Sequence, residues 1–309
     1  MSRKIILKQH QSPGDILTMT RAVADLKQNY PDWLIDVRTP CPEIWEHNPH
    51  LTPLKEKDSG VEVYGVEYGR DNKEGIHTSG WRGQHWTTSY REDIEQQVGA
   101  DIVQTSIKPE LYLSHEEQHW INQVEVEFGW HGGFWLINAG RKDDNELKQY
   151  HRWQEVVDIL NKYFNGRVKL VQIGSSKPHI HPELKGVYNL VGKTDLRQLI
   201  RLCWWAHGTV GPLSFQFVMA AAFGQPHVVV AGGKEGVRWH IYPWGRYINT
   251  NGALKCCKED GCWLGGDKGK CKDLVGGVPH CFRLIEPYMI ADAVKMYYEG
   301  GILGWGRGK

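Results

Sequence analysis

Gly211-Pro212-Leu213-Ser214 leads through Ala220-Ala221-Ala222-Phe223-Gly224-Gln225-Pro226 into His227-Val228-Val229-Val230-Ala231-Gly232-Gly233, and this stretch decides the fold of the 309-residue chain. One Gly/Pro turn opens an alanine-rich helix, a second closes it, and the valine run reads as a strand. A similar unit stands near the other end. There Lys4-Ile5-Ile6-Leu7-Lys8 reads as a strand and runs into Ser12-Pro13-Gly14-Asp15-Ile16. A strand, a tight turn and a helix aim backbone N–H groups and the positive end of a helix dipole at an anion. Two such units a whole domain apart predict a bilobed protein that grips a phosphorylated ligand in a cleft.

Working outward from these units, the first half reads strand (5–9), loop, then helix. Ile16, Met19, Val23 and Leu26 recur at helical spacing, and Asn29-Tyr30-Pro31 stops the run. Further strands are expected at 33–37 and 61–68, with a short helix at 42–46 between them. The Gly- and charge-rich stretch 69–83 reads as a loop over a site. Ser114-His115-Glu116-Glu117 has a capping-box pattern and predicts a helix running through Trp120 and Val124.

The linker is expected at Gly129-Trp130-His131-Gly132-Gly133, giving domains 1–130 and 131–309. Beyond it, strands at 134–138, 168–174 and 227–233 alternate with helices at 150–164, 195–206 and 214–223. That alternation predicts βαβ units around a parallel sheet. Ligands of such sheets sit at the carboxyl ends of the strands, here Asn138-Ala139-Gly140, Gly174-Ser175-Ser176 and Gly211–Ser214.

Composition narrows the function classes. The net charge is +1, and the 37 basic residues are scattered, so no footprint for nucleic acid stands out. No apolar run approaches the ~20 residues of a membrane span, which leaves room only for peripheral membrane contact. The apolar stretch at the start is too short for a signal peptide. A cytoplasmic location with reduced thiols is expected.

Two patterns suggest metals. His115-Glu116-Glu117-Gln118-His119 matches H-E-x-x-H, but Ser114 would cap that helix and no third ligand follows. The second is fuller. Cys256, Cys257, Cys262, Cys271 and Cys281 place five of the seven cysteines in a Gly- and Lys-rich loop at 255–282. Thiolates in a loop without a core of its own are expected to fold around a structural zinc or iron. Four of the five would serve, with one of the adjacent pair Cys256 and Cys257 spare. Free thiols or an opportunistic disulfide are the alternative.

Taken together, the chain resembles glycosyltransferase family 9, the ADP-heptose-dependent heptosyltransferases. The resemblance rests on Gly14-Asp15-Ile16-Leu17 with Arg21-Ala22-Val23 and Leu26, then Tyr30-Pro31; on Lys148 before Trp153; on Val171-Gln172-Ile173-Gly174; on Val191-Gly192-Lys193-Thr194-Asp195-Leu196; and on Gly211 through Pro226. It implies an α/β GT-B fold, two Rossmann-like domains facing a central cleft, and inverting transfer of a heptose-like sugar from a nucleotide-diphosphate sugar to a glycan or protein hydroxyl. It assigns the catalytic base to Asp15, for which helix capping is the competing role. Lys148 corresponds to the phosphate-binding lysine. Gly14, Asn138, Gly174, Ser214, Gln216 and Glu235 complete the expected donor site, Glu235 as a ribose contact, with no metal expected at the diphosphate. The cysteine loop is similar to the cysteine-bound iron site of bacterial autotransporter heptosyltransferases. Leu213 stands where the family has an Asp and Val218 where it has a His. A GT-B sugar-nucleotide epimerase or hydrolase, and a catalytically silent metal-binding scaffold, are the rival readings.

Overall fold

The computed structural model describes residues 2–68, 83–142, 148–176, 179–257, 261–262 and 270–300. The chain divides into two compact units. Unit 1 comprises Met1–His115 together with Arg238–Tyr242; unit 2 comprises Glu116–Val237 and Pro243–Lys309. The division falls ahead of the Gly129–Gly133 turn.

Unit 1 is built on β1 (Lys4–Lys8), β2 (Leu34–Arg38) and β3 (Val61–Gly65), ordered β2-β1-β3 and all parallel. Ile5 lies opposite Ile35 on one side and Glu62 on the other. As the central strand, β1 is covered on both faces, so Ile5, Ile6 and Leu7 are all fully buried. Helix α1 (Pro13–Asn29) follows, with Pro at its start, where the missing N–H costs nothing. Its burial runs without a break from Ile16 to Leu26. Arg21 and Asp25 are tolerated there because they pair at 2.9 Å and Arg21 also reaches Glu110 at 2.5 Å. Pro42–Trp45 forms a short 3-10 turn. Helix α2 (Trp86–Val98) packs on α1 and carries Trp86, Tyr90, Ile94 and Val98 on its buried face. The expected 69–83 loop lies, apart from Gly83, outside the described residues.

The helix expected through Trp120 and Val124 is two short ones, α3 (His115–Gln118) and α4 (Gln123–Phe128). Asn122 makes the break: its Oδ1 accepts from the N–H groups of Val124 and Glu125 and so starts a new helix. His119 therefore lies beyond the end of α3. Glu117 is committed to Arg197, with two contacts of 2.5 and 2.6 Å in a buried pair. Neither fits a zinc-peptidase helix.

In unit 2 the main sheet contains β4 (Gly133–Ile137), β6 (Val168–Gln172), β8 (Tyr188–Asn189), β9 (Gly208–Gly211), β10 (His227–Gly232) and β11 (Gly245–Asn249), ordered β11-β10-β9-β4-β6-β8 and parallel throughout. Small antiparallel pairs join β5 (Arg141–Lys142) to β7 (His179–Ile180) and β12 (Leu274–Val275) to β13 (Val278–Pro279). The helices are α5 (Trp153–Phe164), α6 (Leu196–Trp205), α7 (Phe215–Ala222), α8 (His280–Arg283) and α9 (Pro287–Glu299). Asp195 caps α6 in a reciprocal box with Gln198. Trp135, Ile137, Val157, Leu160, Val228, Val230, Ile290, Val294 and Tyr297 form the core that α5 and α9 close. Truncating one of its aromatic residues would cost about 3–5 kcal/mol. Among the described residues no helix is long and apolar enough to cross a membrane.

Candidate active site

The carboxyl ends of β4 and β9 bring Asn138, Gly211, Ser214 and Gln216 together. Asn138 Nδ2 donates to Ser214 Oγ at 3.2 Å and to Gln216 Oε1 at 3.3 Å, while its Oδ1 accepts from Gly140 N at 2.9 Å. Gln216 is buried and donates through Nε2 to Pro212 O at 2.8 Å. A Cβ on Gly211 would stand 2.7 Å from both Asn138 O and Gln216 Nε2, so glycine is what lets the turn close. The result is a rigid turn that ends in Ser214, the N-cap of α7.

Lys148 reaches this turn. Its ammonium donates to Leu213 O at 3.2 Å and pairs with Glu235 Oε1 at 3.0 Å. Glu235 is 2% exposed; its carbonyl accepts from Asn251 Nδ2 at 2.9 Å. The Tyr247 phenol is pushed well above its ordinary range, by burial first and by the Glu235 charge second. Gly174 and Gly140 share a neighbour that sequence reasoning missed, His181. A Cβ at either glycine would lie within about 2.2 Å of the His181 ring. Burial pulls the His181 pKa down, and its Nε2 meets Ser175 O at 2.9 Å. The two glycines were the available signal, because they leave room for a ring.

In unit 1, Asp15 occupies the third position of α1 and Ser12 caps the helix. Ser12 N donates to Asp15 Oδ2 at 3.2 Å. The Asp15 carboxylate thus makes the reciprocal half of the capping box. Gly14 precedes it and its carbonyl accepts from Thr18 Oγ1 at 2.9 Å. Asp15 faces buried phenols electrostatically: its charge adds to burial in raising both Tyr90 and Tyr242. Tyr242 belongs to the segment Arg238–Tyr242, whose Trp239 and His240 pack on Trp86 with ring centroids 5.8 and 4.0 Å away.

The cysteines gather behind the loop that carries Glu235. Cys262 N donates to Gly233 O at 3.0 Å, and a Cβ on Gly233 would lie 2.8 Å from Cys257 Sγ and 3.2 Å from Cys281 Cβ. Burial, then the thiols of Cys281, Cys256 and Cys271, push Cys262 up to about 12. Cys281 rises to about 11 through burial, with Cys271, Cys257 and Cys256 adding and the Gly233 N–H opposing. Cys256 is raised by burial and by Cys257, Asp273 and Cys271. Cys262 thus feels three neighbouring thiols, and Cys257 acts on both Cys281 and Cys256. Cys257 is fully buried and turns its Sγ to Thr250 O at 3.3 Å.

No protein-family model matches the sequence, and no curated protein matches it. Solved structures do match over nearly the whole chain. A glycosyltransferase family 9 protein from Veillonella parvula superposes with a TM-score of 0.68 at 12% identity, covering 96% of this chain and 97% of its own. The dodecameric iron-containing heptosyltransferase TibC, in complex with ADP-D-beta-D-heptose, gives 0.69 at 14% identity, with 97% and 78% covered. The ADP-heptose LPS heptosyltransferase II of E. coli gives 0.61 at 14% identity, with 97% and 99% covered. This chain has the family 9 glycosyltransferase fold.

Within the family 9 fold, the two departures from the family's pattern are core residues. Leu213 is 6% exposed and Val218 is 2% exposed. Leu213 still serves the site through its backbone, whose carbonyl holds Lys148. Arg238–Tyr242 starts inside a 3-10 turn (Val237–Trp239), and five residues carry no periodicity that would assign them to the first unit.

Proposed function

We propose that this protein is an inverting glycosyltransferase that moves a heptose-like sugar from a nucleotide-diphosphate sugar of the ADP-heptose type to a hydroxyl of a glycan or protein. The observation that carries this reading is the half-buried ammonium of Lys148, held beside a rigid turn at the carboxyl ends of β4 and β9. Backbone N–H groups at the start of α7 and the Lys148 charge take the diphosphate. Asn138, Gly211, Ser214 and Gln216 keep the turn in shape, Gly174 makes room for the His181 ring, and Glu235, buried behind Lys148, holds the ammonium in place. Gly14 begins the helix that bears Asp15.

Asp15 takes the proton of the acceptor hydroxyl as its oxygen bonds to the anomeric carbon. The bond from that carbon to the diphosphate breaks with its electron pair going to the leaving nucleoside diphosphate, whose charge Lys148 offsets. The anomeric configuration inverts because attack and departure are on opposite faces. The cytoplasm is where a nucleotide sugar would be met.

Cys256, Cys262, Cys271 and Cys281 offer the donor type of a thiolate-bound zinc or iron, with Cys257 as the spare, although among the described residues no three of these sulfurs lie within 4.8 Å of one another. Burial first and neighbouring thiols second raise Cys256, Cys262 and Cys281 as free thiols, and a cation would oppose that. When bound, the metal supplies folding energy to a loop that backs Gly233 and hence Glu235.

A thermal-shift panel of nucleotide sugars tests the reading. A ligand at 100 times its dissociation constant adds about 2.7 kcal/mol. ADP-sugars are expected to raise the melting temperature above other nucleotides. Nucleotide release from donor alone would favour an epimerase or hydrolase, and no shift with any nucleotide sugar would favour a silent scaffold.

A further inference from the structure

We propose that Tyr90 is a positioning residue for the Asp15 carboxylate. This rests on the reading of Asp15 as the base. Between the end of β1 and the start of α1 the chain crosses Gln9, His10, Gln11 and Ser12. Its two glutamines and the Tyr90 hydroxyl close a ring. Gln9 Nε2 donates to Gln11 Oε1 at 2.9 Å and to Tyr90 Oη at 2.8 Å; Tyr90 Oη donates to the same Gln11 oxygen at 2.6 Å. Gln11 N returns to Gln9 Oε1 at 3.1 Å.

This ring anchors the bridge to α2 from beneath. Gln9 is 1% exposed and Tyr90 is fully buried, so each group depends on the others for its hydrogen bonds. One residue after Gln11, the Ser12 N–H holds Asp15 Oδ2 at 3.2 Å. The Ser12 backbone is thus one hold on the carboxylate, and that backbone is tied to the ring. Tyr90 remains a protonated donor, since burial and the Asp15 charge oppose its ionisation. A base must be placed within a few tenths of an ångström of the proton it takes, and a misplacement of about 1 Å costs on the order of a hundred-fold in rate. Gln11 is only partly buried, so its variant probes the same ring with less disturbance of the core.

Tyr90→Phe keeps the ring that packs edge-on against Tyr68 at 5.4 Å and removes only the hydroxyl. Turnover of an ADP-heptose donor, followed as ADP released in the presence of acceptor, is expected to fall about ten-fold or more, while the dissociation constant for ADP stays within about two-fold. Gln11→Ala should reproduce the split. In an Asp15→Asn background, Tyr90→Phe should cost nothing further, because the carboxylate it positions has been removed. Turnover within two-fold of the parent in both variants, or the same loss in the Asp15→Asn background, overturns the proposal. Near-normal turnover by Asp15→Asn alone overturns instead the reading on which it rests.

Discussion

Lys148 Nζ lies 3.0 Å from Glu235 Oε1, an ion pair whose acid side chain is 3% exposed and whose base side chain is 27% exposed. The lysine is held at the Gly211–Ser214 turn by a buried carboxylate. The same contact ties the loop after β10 to the loop before α5.

Lys148→Ala is expected to weaken ADP binding about ten-fold or more, in line with the ~1.5–3 kcal/mol of a charge-assisted contact. Adenosine, which has no phosphate, should bind nearly as before. Titration calorimetry with both ligands checks this, and equal losses would move Lys148 away from the diphosphate.

The same variant leaves Glu235 buried without its cation, so the melting temperature should fall. Adding Glu235→Gln removes the stranded charge. The double variant should recover most of the melting temperature but not the affinity for ADP, which separates the structural from the binding role of the lysine.

Asp15→Asn retains shape and can still accept from Ser12 N–H. Melting temperature and ADP affinity should stay close to the parent while sugar transfer falls at least about a hundred-fold. A variant that melts several degrees lower yet transfers normally per folded molecule would show that Asp15 is a helix cap alone.

Cys262→Ser is expected to lower metal content and melting temperature together, and to weaken ADP binding, because Cys262 braces Gly233 ahead of Glu235. Cys257→Ala should keep its metal. Elemental analysis of protein purified without chelator decides, and less than about a tenth of an equivalent in the parent would defeat the assignment.

Burial lowers the His85 pKa to about 3 and that of His227 to about 4. Both folded values lie below the unfolded 6.5, so the unfolded chain takes up protons first as pH falls. The stability associated with neutral burial is present above pH 6.5 and is lost on the way down toward those values, by about 1.4 kcal/mol per pH unit for each histidine. Urea midpoints at pH 7, 6 and 5 should decrease in turn. His85→Asn, which can still cap α2 in place of the Nδ1 that accepts from Thr87 N, should flatten that slope.

What the sequence determined by itself was local. The apolar spacing of Ile16, Met19, Val23 and Leu26 marked α1, the valine run marked β10, and Asp195 marked the start of α6. Each is a pattern that one element imposes on its own residues. Helices α2 and α9 and strand β11 went unread, although Trp86, Tyr90, Ile94 and Val98 share one buried helical face; the first of these follows directly on the Gly-rich 69–83 stretch, which reads as loop. Tertiary structure alone decided partners: Lys148 with Glu235, Tyr90 with Gln9 and Gln11, His181 over Gly140 and Gly174, Cys257 turned to Thr250, and Arg238–Tyr242 returned to the first unit. The physical reason is range. Periodicity and capping act within a few residues, whereas a buried charge or hydroxyl finds its partner only when packing brings distant segments within about 3 Å.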